Sequence, residues 1–279
     1  MRRDGSGDGA GGLPLTGAGA PDAVAEVAEA EFVDVDGMAR REPLSRCWNV
    51  AFERVRPVRG FPSFRGQRNR PGLWWFATTG EHVGHESWLE RDCLMALDAD
   101  PGVVAVASQP MWLHWTDAGS GRAVRHAPDY FARRGDGGGV VIDVRPGQRI
   151  GERDAAVFAA TARFCAQVGL EYRRVGELDP VRAANLRWLA GYRHPRHVQP
   201  ALAARLRSAF AGPAPLLAGA AAAGDPVAVL PVLFGMLWRG ELGADLDGER
   251  MAPGTMVHAR EAVPSGQPAG TVLAGRPAG

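Results

Sequence analysis

The stretch that decides the fold is "GGGVVIDVRPG", residues 137–147. Three glycines precede an apolar run, and a proline and a glycine follow it, which is typical of a strand between turns. Successive side chains of a strand point to opposite faces, so Asp143 shares its face with Val141 and Arg145. A buried carboxylate is costly unless it is paired. Asp143 therefore needs a partner, which is either Arg145 in a structural ion pair or a bound cation.

Helical and extended patterns alternate around this strand. Extended segments are predicted at residues 73–79, 103–106, 110–115, 122–132 and 170–176. Helical periodicity is predicted over residues 86–98, 153–168 and 179–193. This order favours an α/β fold, in which helices flank a mixed sheet. Residues 201–259 show three helical segments and two short extended ones, a pattern typical of a small helical, winged-helix-like unit.

These patterns divide the chain into four parts. Residues 1–44 begin with a Gly-rich stretch and are predicted to be largely disordered. Residues 45–196 form the α/β domain and residues 197–261 the winged-helix-like domain. Residues 262–279 are rich in Gly, Pro and Ala, and we predict a disordered tail.

Composition excludes several classes of protein. The formal net charge of the 279 residues is +1, so bulk charge identifies no partner. Three widely spaced cysteines exclude a disulfide framework and a CxxC zinc pair. The N-terminus lacks the apolar core of a signal peptide, and the longest apolar run, residues 227–238, is too short to span a bilayer. We therefore expect a soluble, cytoplasmic protein with no membrane partner.

Two further acids lie in apolar surroundings. In "ESWLER" (86–91), Glu86 and Glu90 share the apolar side of the predicted helix with Cys93. The dipole at the helix N-terminus stabilises a carboxylate and so explains the acid at position 86. It explains Glu90 less well, because Glu90 lies a turn further into the helix. In "HAPDYF" (126–131), Asp129 follows a proline, and it is either a turn-capping residue or part of a site.

Glu90, Asp129 and Asp143 follow one another in the order of the predicted elements. Three converging carboxylates cannot all stay ionised without a cation. Ligands that are all oxygen favour Mg²⁺ or Mn²⁺ over zinc. The sequence therefore predicts a magnesium site that could act on a phosphodiester.

At these residues the chain resembles the PD-(D/E)xK nuclease superfamily, through Pro128-Asp129, Asp143-Val144-Arg145 and Glu90. More narrowly, it is similar to the TnsA-like endonuclease subunit of heteromeric (TnsABC-type) transposases. That resemblance is supported by the order of "ESWLER", "SQP" (108–110), "RHAPDYF" and "VVIDVRP" along residues 45–196.

The resemblance implies a restriction-endonuclease-like fold and a metal-dependent DNA endonuclease. Such a subunit cuts the strands at transposon ends that its DDE-type transposase partner leaves intact, and an AAA+ ATPase regulator contacts the complex. The resemblance makes Glu90, Asp129 and Asp143 ligands of Mg²⁺ or Mn²⁺. It also implies a bacterial cytoplasmic protein that joins the nucleoid during transposition.

The chain departs from the family pattern at two positions. Arg145 stands where the family usually has a catalytic lysine, and the whole chain contains no lysine. An arginine stays protonated and cannot act as a general base, but its planar fork can hold a phosphate. Asp143 is an acid where the TnsA pattern has a neutral amide, which strengthens the expected metal binding.

Four more residues are candidate accessory groups, each with a structural alternative. His85 and Glu86 in "EHVGHE" (81–86) suit support of the site or contact with DNA better than zinc binding. Gln109 either fixes the active-site water or closes a strand end. His126 either touches the phosphate or is an ordinary core or surface histidine.

An arginine-rich stretch with interleaved aromatic residues is the candidate DNA-binding surface. Its alternative is a solvated loop. The arginines are Arg54, Arg56, Arg59, Arg65, Arg68 and Arg70. Two other functions stay open: a stand-alone repair or restriction nuclease of the same fold, and a catalytically degenerate DNA-binding scaffold.

Overall fold

A computed structural model describes residues 27–60, 70–147 and 150–260. Within these ranges the chain is a mixed α/β protein with several antiparallel sheets and six α-helices. The helices are α1 (Trp88–Asp98), α2 (Glu152–Gln167), α3 (Pro180–Ala190), α4 (Pro200–Ala209), α5 (Leu216–Ala223) and α6 (Pro226–Trp238). Short 3₁₀ helices span Leu44–Arg46, Phe52–Arg54 and Pro195–His197.

Thirteen strands make up the described sheets. They are β1 (Glu29–Val33), β2 (Ala39–Pro43), β3 (Gly72–Phe76), β4 (Glu81–His85), β5 (Val103–Ser108), β6 (Trp112–Thr116), β7 (Ala123–His126), β8 (Tyr130–Arg134), β9 (Gly139–Val144), β10 (Glu171–Val175), β11 (Ala214–Pro215), β12 (Leu242–Ala244) and β13 (Met256–Ala259). Their orders are β2-β1-β6-β7, β10-β9-β8-β5, β11-β13-β12 and the hairpin β3-β4.

The strand predicted over residues 139–145, within the quoted stretch, is β9, in the interior of the sheet β10-β9-β8-β5. It pairs antiparallel with β8 and parallel with β10, and all of its residues are buried. The predicted alternation is confirmed. Ile142 packs in one core cluster with Leu94 of α1, and Val141 packs in another with Phe164 of α2. Helices therefore cover both faces of the strand.

Helix α1 begins with a serine N-cap that also positions a candidate site residue. The Ser87 hydroxyl accepts a hydrogen bond from the Glu90 N–H at 3.2 Å and donates to Glu90 Oε1 at 2.9 Å. The predicted apolar stripe is buried, with Cys93 and Leu97 packed against the central sheet. The first turn of α1 therefore holds Glu90 against the sheet.

The N-terminal strands correct the expected disorder of residues 1–44. Strand β1 pairs with β2 and β6, and its alternate residues Ala30 and Phe32 are buried against Phe52 and Leu113. The period of two in "EAEFV" gives β1 one apolar face, which the core covers. Residues 1–26 lie outside the described part of the chain.

The C-terminal segment contains α4, α5 and α6 with the small sheet β11-β13-β12. The three predicted helices and the two predicted extended pieces, β12 and β13, are present. Met95 of α1 and Leu189 of α3 belong to the same core cluster as Phe210 and Trp238. The predicted boundary after residue 196 therefore separates elements that share one core. The predicted tail, residues 262–279, lies outside the described residues.

No single helix in the described part of the chain is long and apolar enough to cross a membrane. One pair, α5 and α6, reaches the required length and composition only when taken together, and a bend of 118° separates the two.

Candidate active site

Asp129 lies directly before β8, beside the end of β9, and is 5% exposed. Its Oδ2 accepts hydrogen bonds from the Val144 N–H at 2.7 Å and from Arg145 Nη1 at 3.2 Å. Burial raises the pKa of Asp129 to about 7 against the opposing effect of Arg145, and the charges of Asp143 and Glu90 add to the rise. Asp129 is therefore a buried acid whose ionised form is disfavoured by Asp143 and Glu90 and favoured by Arg145.

Glu90 is the second buried acid of the site and is 9% exposed. Its Oε2 accepts a hydrogen bond from the Glu86 N–H at 2.7 Å, in addition to the bond from Ser87 to Oε1. Burial is the main cause that raises the pKa of Glu90; the hydrogen bonds from the Glu86 N–H and from Ser87 oppose it, and the charge of Arg145 does so to a smaller extent. The structure thus brings Glu90, Asp129 and Arg145 into one electrostatic neighbourhood.

Asp143 also raises the pKa of Asp129, but its carboxylate is bound by a different set of side chains. Its fully buried carboxylate lies on the Val141 face of β9, which packs against α2. Both of its oxygens lie 2.9 Å from Nε2 of His126, and Oδ2 accepts a hydrogen bond from the Tyr172 hydroxyl at 2.8 Å. The expected ion pair with Arg145 is therefore corrected: Arg145 bonds to Asp129, and the side chains that bind Asp143 are His126 and Tyr172.

The expected cluster of three carboxylates is corrected for the same reason. Within residues 27–60, 70–147 and 150–260, no group of three or more His, Cys, Asp or Glu side chains is arranged to hold a metal ion. Magnesium, however, is commonly held by one or two carboxylates together with waters and substrate phosphates. Glu90 and Asp129 offer such a pair of hard oxygen ligands, so these two residues fit the ion while Asp143 does not.

Two of the accessory candidates adjoin this pair. Gln109 is 2% exposed, and its Nε2 donates a hydrogen bond to Glu86 Oε1 at 3.1 Å. The other oxygen of Glu86 lies 3.2 Å from Nη2 of Arg59. Among the described residues Gln109 Oε1 is buried and has no hydrogen-bond partner. An orphaned amide oxygen on a residue that is hydrogen-bonded to Glu86 is consistent with a site that accepts a cation or a hydrogen-bond donor.

The two histidines differ: the buried Nδ1 of His85 has no hydrogen-bond partner among the described residues, whereas His126 bonds to Asp143. His85 is buried at the end of β4, where a Cβ on Gly72 would lie 2.8 Å from its Nε2. Burial and the charge of Arg91 lower its pKa, which favours the neutral ring. His126, on β7, bonds to Asp143, and its ring meets Phe158 edge-on at 6.0 Å between centroids. His126 therefore supports Asp143, a role that the sequence did not suggest.

The candidate DNA-binding arginines are only partly described. Arg54, Arg56, Arg59 and Arg70 are exposed, whereas Arg65 and Arg68 lie outside the described residues. Arg59 forms an ion pair with Glu86, near Glu90. Arg56 packs beside the turn at Gly37, so close that a Cβ on Gly37 would lie 3.2 Å from the Nη1 of Arg56. The aromatic residues nearby are engaged as well: Trp74 donates to Asp98, and Trp75 stacks on His194.

Two residues of the site were missed at the level of sequence. Ser87 was readable, because Ser-x-x-Glu before an apolar run is the signature of a capping box. Tyr172 gave no signal, because only the parallel pairing of β10 with β9 brings it to Asp143.

No protein-family model matches the chain, and no curated protein matches it in sequence.

Proposed function

We propose that this protein is a metal-dependent DNA endonuclease subunit of a heteromeric transposase, of the TnsA-like PD-(D/E)xK type. The observation that carries the proposal is that Glu90 and Asp129 are two buried acids from separate elements whose charges interact, and that the guanidinium of Arg145 is bonded to Asp129. Acids with raised pKa values and too little counter-charge are typical of functional sites.

The architecture supports a restriction-endonuclease-like core for residues 45–196. The sheet β10-β9-β8-β5 is mixed, and α1 and α2 pack against its opposite faces. We further propose that α4–α6 with β11–β13 form a winged-helix-like unit, since three helices and a small antiparallel sheet alternate there in the order α-β-α-α-β-β.

In this proposal, Glu90 and Asp129 hold the Mg²⁺ or Mn²⁺ ion. When bound, that ion supplies charge stabilisation at the phosphodiester and activation of water. Ser87 and the Glu86 N–H keep the Glu90 oxygens in place, and the Val144 N–H does the same for Asp129. Their fixed positions reduce the reorganisation that binding requires.

Arg145 would hold the scissile phosphate. Its side chain is 39% exposed, and one nitrogen, Nη1, is fixed by Asp129 and by the Val144 carbonyl at 2.8 Å. A guanidinium anchored in this way presents a permanent positive charge at the edge of the acidic site. It cannot remove a proton from water, so the chain relies on another group for that step.

The proposed partners are the DNA of transposon ends, a DDE-type transposase and an AAA+ ATPase regulator, in the bacterial cytoplasm. Exposed Arg54, Arg56, Arg59 and Arg70 suit contacts with phosphates near the site.

The test measures Mn²⁺ binding to the full chain by calorimetry and end cleavage on a plasmid that carries the cognate ends, with the partner transposase. We expect Glu90→Gln and Asp129→Asn to weaken Mn²⁺ binding by more than about tenfold and to abolish cleavage. Glu152→Gln, at the exposed start of α2, is the matched control and should bind Mn²⁺ as the wild type does. Unchanged binding and cleavage in Glu90→Gln would refute the proposal.

A catalytically degenerate DNA-binding scaffold is the second candidate. Two observations favour it: Asp143 is hydrogen-bonded to His126 and Tyr172, and Arg145 is hydrogen-bonded to Asp129. A scaffold would bind DNA ends without taking up Mn²⁺ at Glu90 and Asp129. Cleavage by the isolated chain would instead favour a stand-alone nuclease.

A further inference from the structure

Gln109 has an unusual backbone for a residue with a side chain. It lies between β5 and β6 with a φ of 46°, and it is the one non-glycine residue at positive φ within the described residues. Side chains disfavour this left-handed region, which glycine adopts without strain. A glycine would therefore suit the turn between the two strands better than a glutamine.

Three hydrogen bonds hold Gln109 in this conformation and connect it to the acidic site. Its N–H donates to the Asp129 carbonyl at 2.8 Å, and its own carbonyl accepts from the Val58 N–H at 3.0 Å. The side-chain Nε2 donates to Glu86 Oε1 at 3.1 Å. Gln109 is thus hydrogen-bonded to Asp129, one proposed ligand, and to Glu86, which lies just before the other proposed ligand, Glu90.

The remaining polar atom of the side chain is the one without a partner. Oε1 is buried and accepts no hydrogen bond from any described residue. Buried amide oxygens nearly always find a donor, so an orphan requires an explanation. Strained backbone and an unsatisfied buried acceptor at the same residue are typical of positions kept for function.

We propose that Gln109 is a positioning residue whose Oε1 accepts a hydrogen bond from a water molecule of the cation held by Glu90 and Asp129. This inference rests on the proposed function. A residue that only closed the end of a strand would need neither the amide oxygen nor a side chain. Its carboxamide donates to Glu86 and leaves the oxygen for a donor, which is how a group that orients metal-bound water would be placed.

The experiment compares Gln109→Gly and Gln109→Ala in the full chain, by calorimetric titration with Mn²⁺ and by thermal unfolding. Both changes remove the amide, but only glycine also relieves the left-handed strain. We expect both variants to bind Mn²⁺ about 10- to 100-fold more weakly, and Gln109→Gly to unfold at a higher temperature than Gln109→Ala. Gln167→Gly, at the exposed C-terminal end of α2, is the matched control and should keep wild-type Mn²⁺ affinity.

The outcomes separate this inference from the proposed function. If both Gln109 variants bind Mn²⁺ like the wild type while Glu90→Gln does not, the role of Gln109 is refuted and the metal site stands. If the wild type takes up no Mn²⁺, both are refuted. A loss of affinity in Gln109→Ala alone would attribute the effect to strain and would also overturn the inference.

Discussion

Replacing Tyr172 with phenylalanine tests how Asp143 is stabilised. The change removes only the hydroxyl that donates to Asp143 Oδ2 at 2.8 Å. Tyr172 lies on β10 opposite Val141 of β9, and its ring packs against the core cluster that contains Phe164. The phenylalanine ring can keep this packing, so the variant isolates one hydrogen bond to a fully buried carboxylate.

The expected magnitude follows from the donors of Asp143. A hydrogen bond to a charged group contributes about 1.5–3 kcal/mol to stability. After the substitution, His126 Nε2 is the one side-chain donor left to Asp143 among the described residues. We therefore expect the free energy of unfolding to fall by about 1.5–3 kcal/mol. For a chain of this size, that corresponds to a decrease of about 3–12 °C in Tm.

The assay is urea unfolding followed by circular dichroism, combined with calorimetric titration of Mn²⁺. Because the Asp143 carboxylate is still bound by His126 and lies on the α2 side of β9, Tyr172→Phe should lose stability and retain wild-type Mn²⁺ affinity. Tyr192→Phe is the control: its ring packs against Trp188 and Phe234, and its hydroxyl makes no hydrogen bond with the described residues. We expect its effect to stay within about 0.5 kcal/mol. Unchanged stability in Tyr172→Phe, or a marked loss of Mn²⁺ affinity, would refute the assignment of Asp143.

Two further predictions concern groups away from the site. Asp98 accepts hydrogen bonds from the Ala77 N–H and from Trp74 Nε1, so Asp98→Asn should lower the free energy of unfolding at pH 7 by about 1–3 kcal/mol. Burial raises the pKa of Asp98, so folding favours its protonated form. The difference in unfolding free energy between wild type and Asp98→Asn should therefore shrink as pH rises above 3.8. Urea unfolding at several pH values in which this difference grew would contradict the prediction. The three cysteines are buried, and burial raises the pKa of Cys47 to about 11 and of Cys165 to about 12. Ellman's reagent at pH 8 should therefore modify no thiol in the folded chain and all three after denaturation, and a rapid reaction of the native protein would count against their burial.

The elements near the site could be predicted from sequence because their signals are local. A short apolar run between turn residues defines β9, and the Ser-x-x-Glu sequence begins α1. Both signals depend on residues within a few positions of one another. The same locality predicted the buried position of Glu90 on the apolar side of α1, which the structure confirms.

Features that depend on pairing between distant segments could not be predicted. Strand β1 consists of five residues after a Gly-rich stretch, and its pairing with β6 joins segments about 80 positions apart in the chain. Gln109 has an ordinary sequence context, and its positive φ appears only when β5 turns towards β6. The Asp129 carbonyl and the Val58 N–H hold that conformation, and neither is adjacent to Gln109 in sequence.

The partner of Asp143 shows why chemistry alone did not define the site. A buried acid requires a partner, but an arginine, a cation and a pair of polar side chains all satisfy that requirement. The structure selects the third option, and this choice affects the metal site. To reach a cation beside Asp129, Asp143 would have to give up its bonds to His126 and Tyr172. Two hydrogen bonds to a carboxylate, at about 1.5–3 kcal/mol each, amount to about 3–6 kcal/mol. Binding a cation through Asp143 would have to offset that loss, whereas Glu90 and Asp129 already lie on the same side of the site.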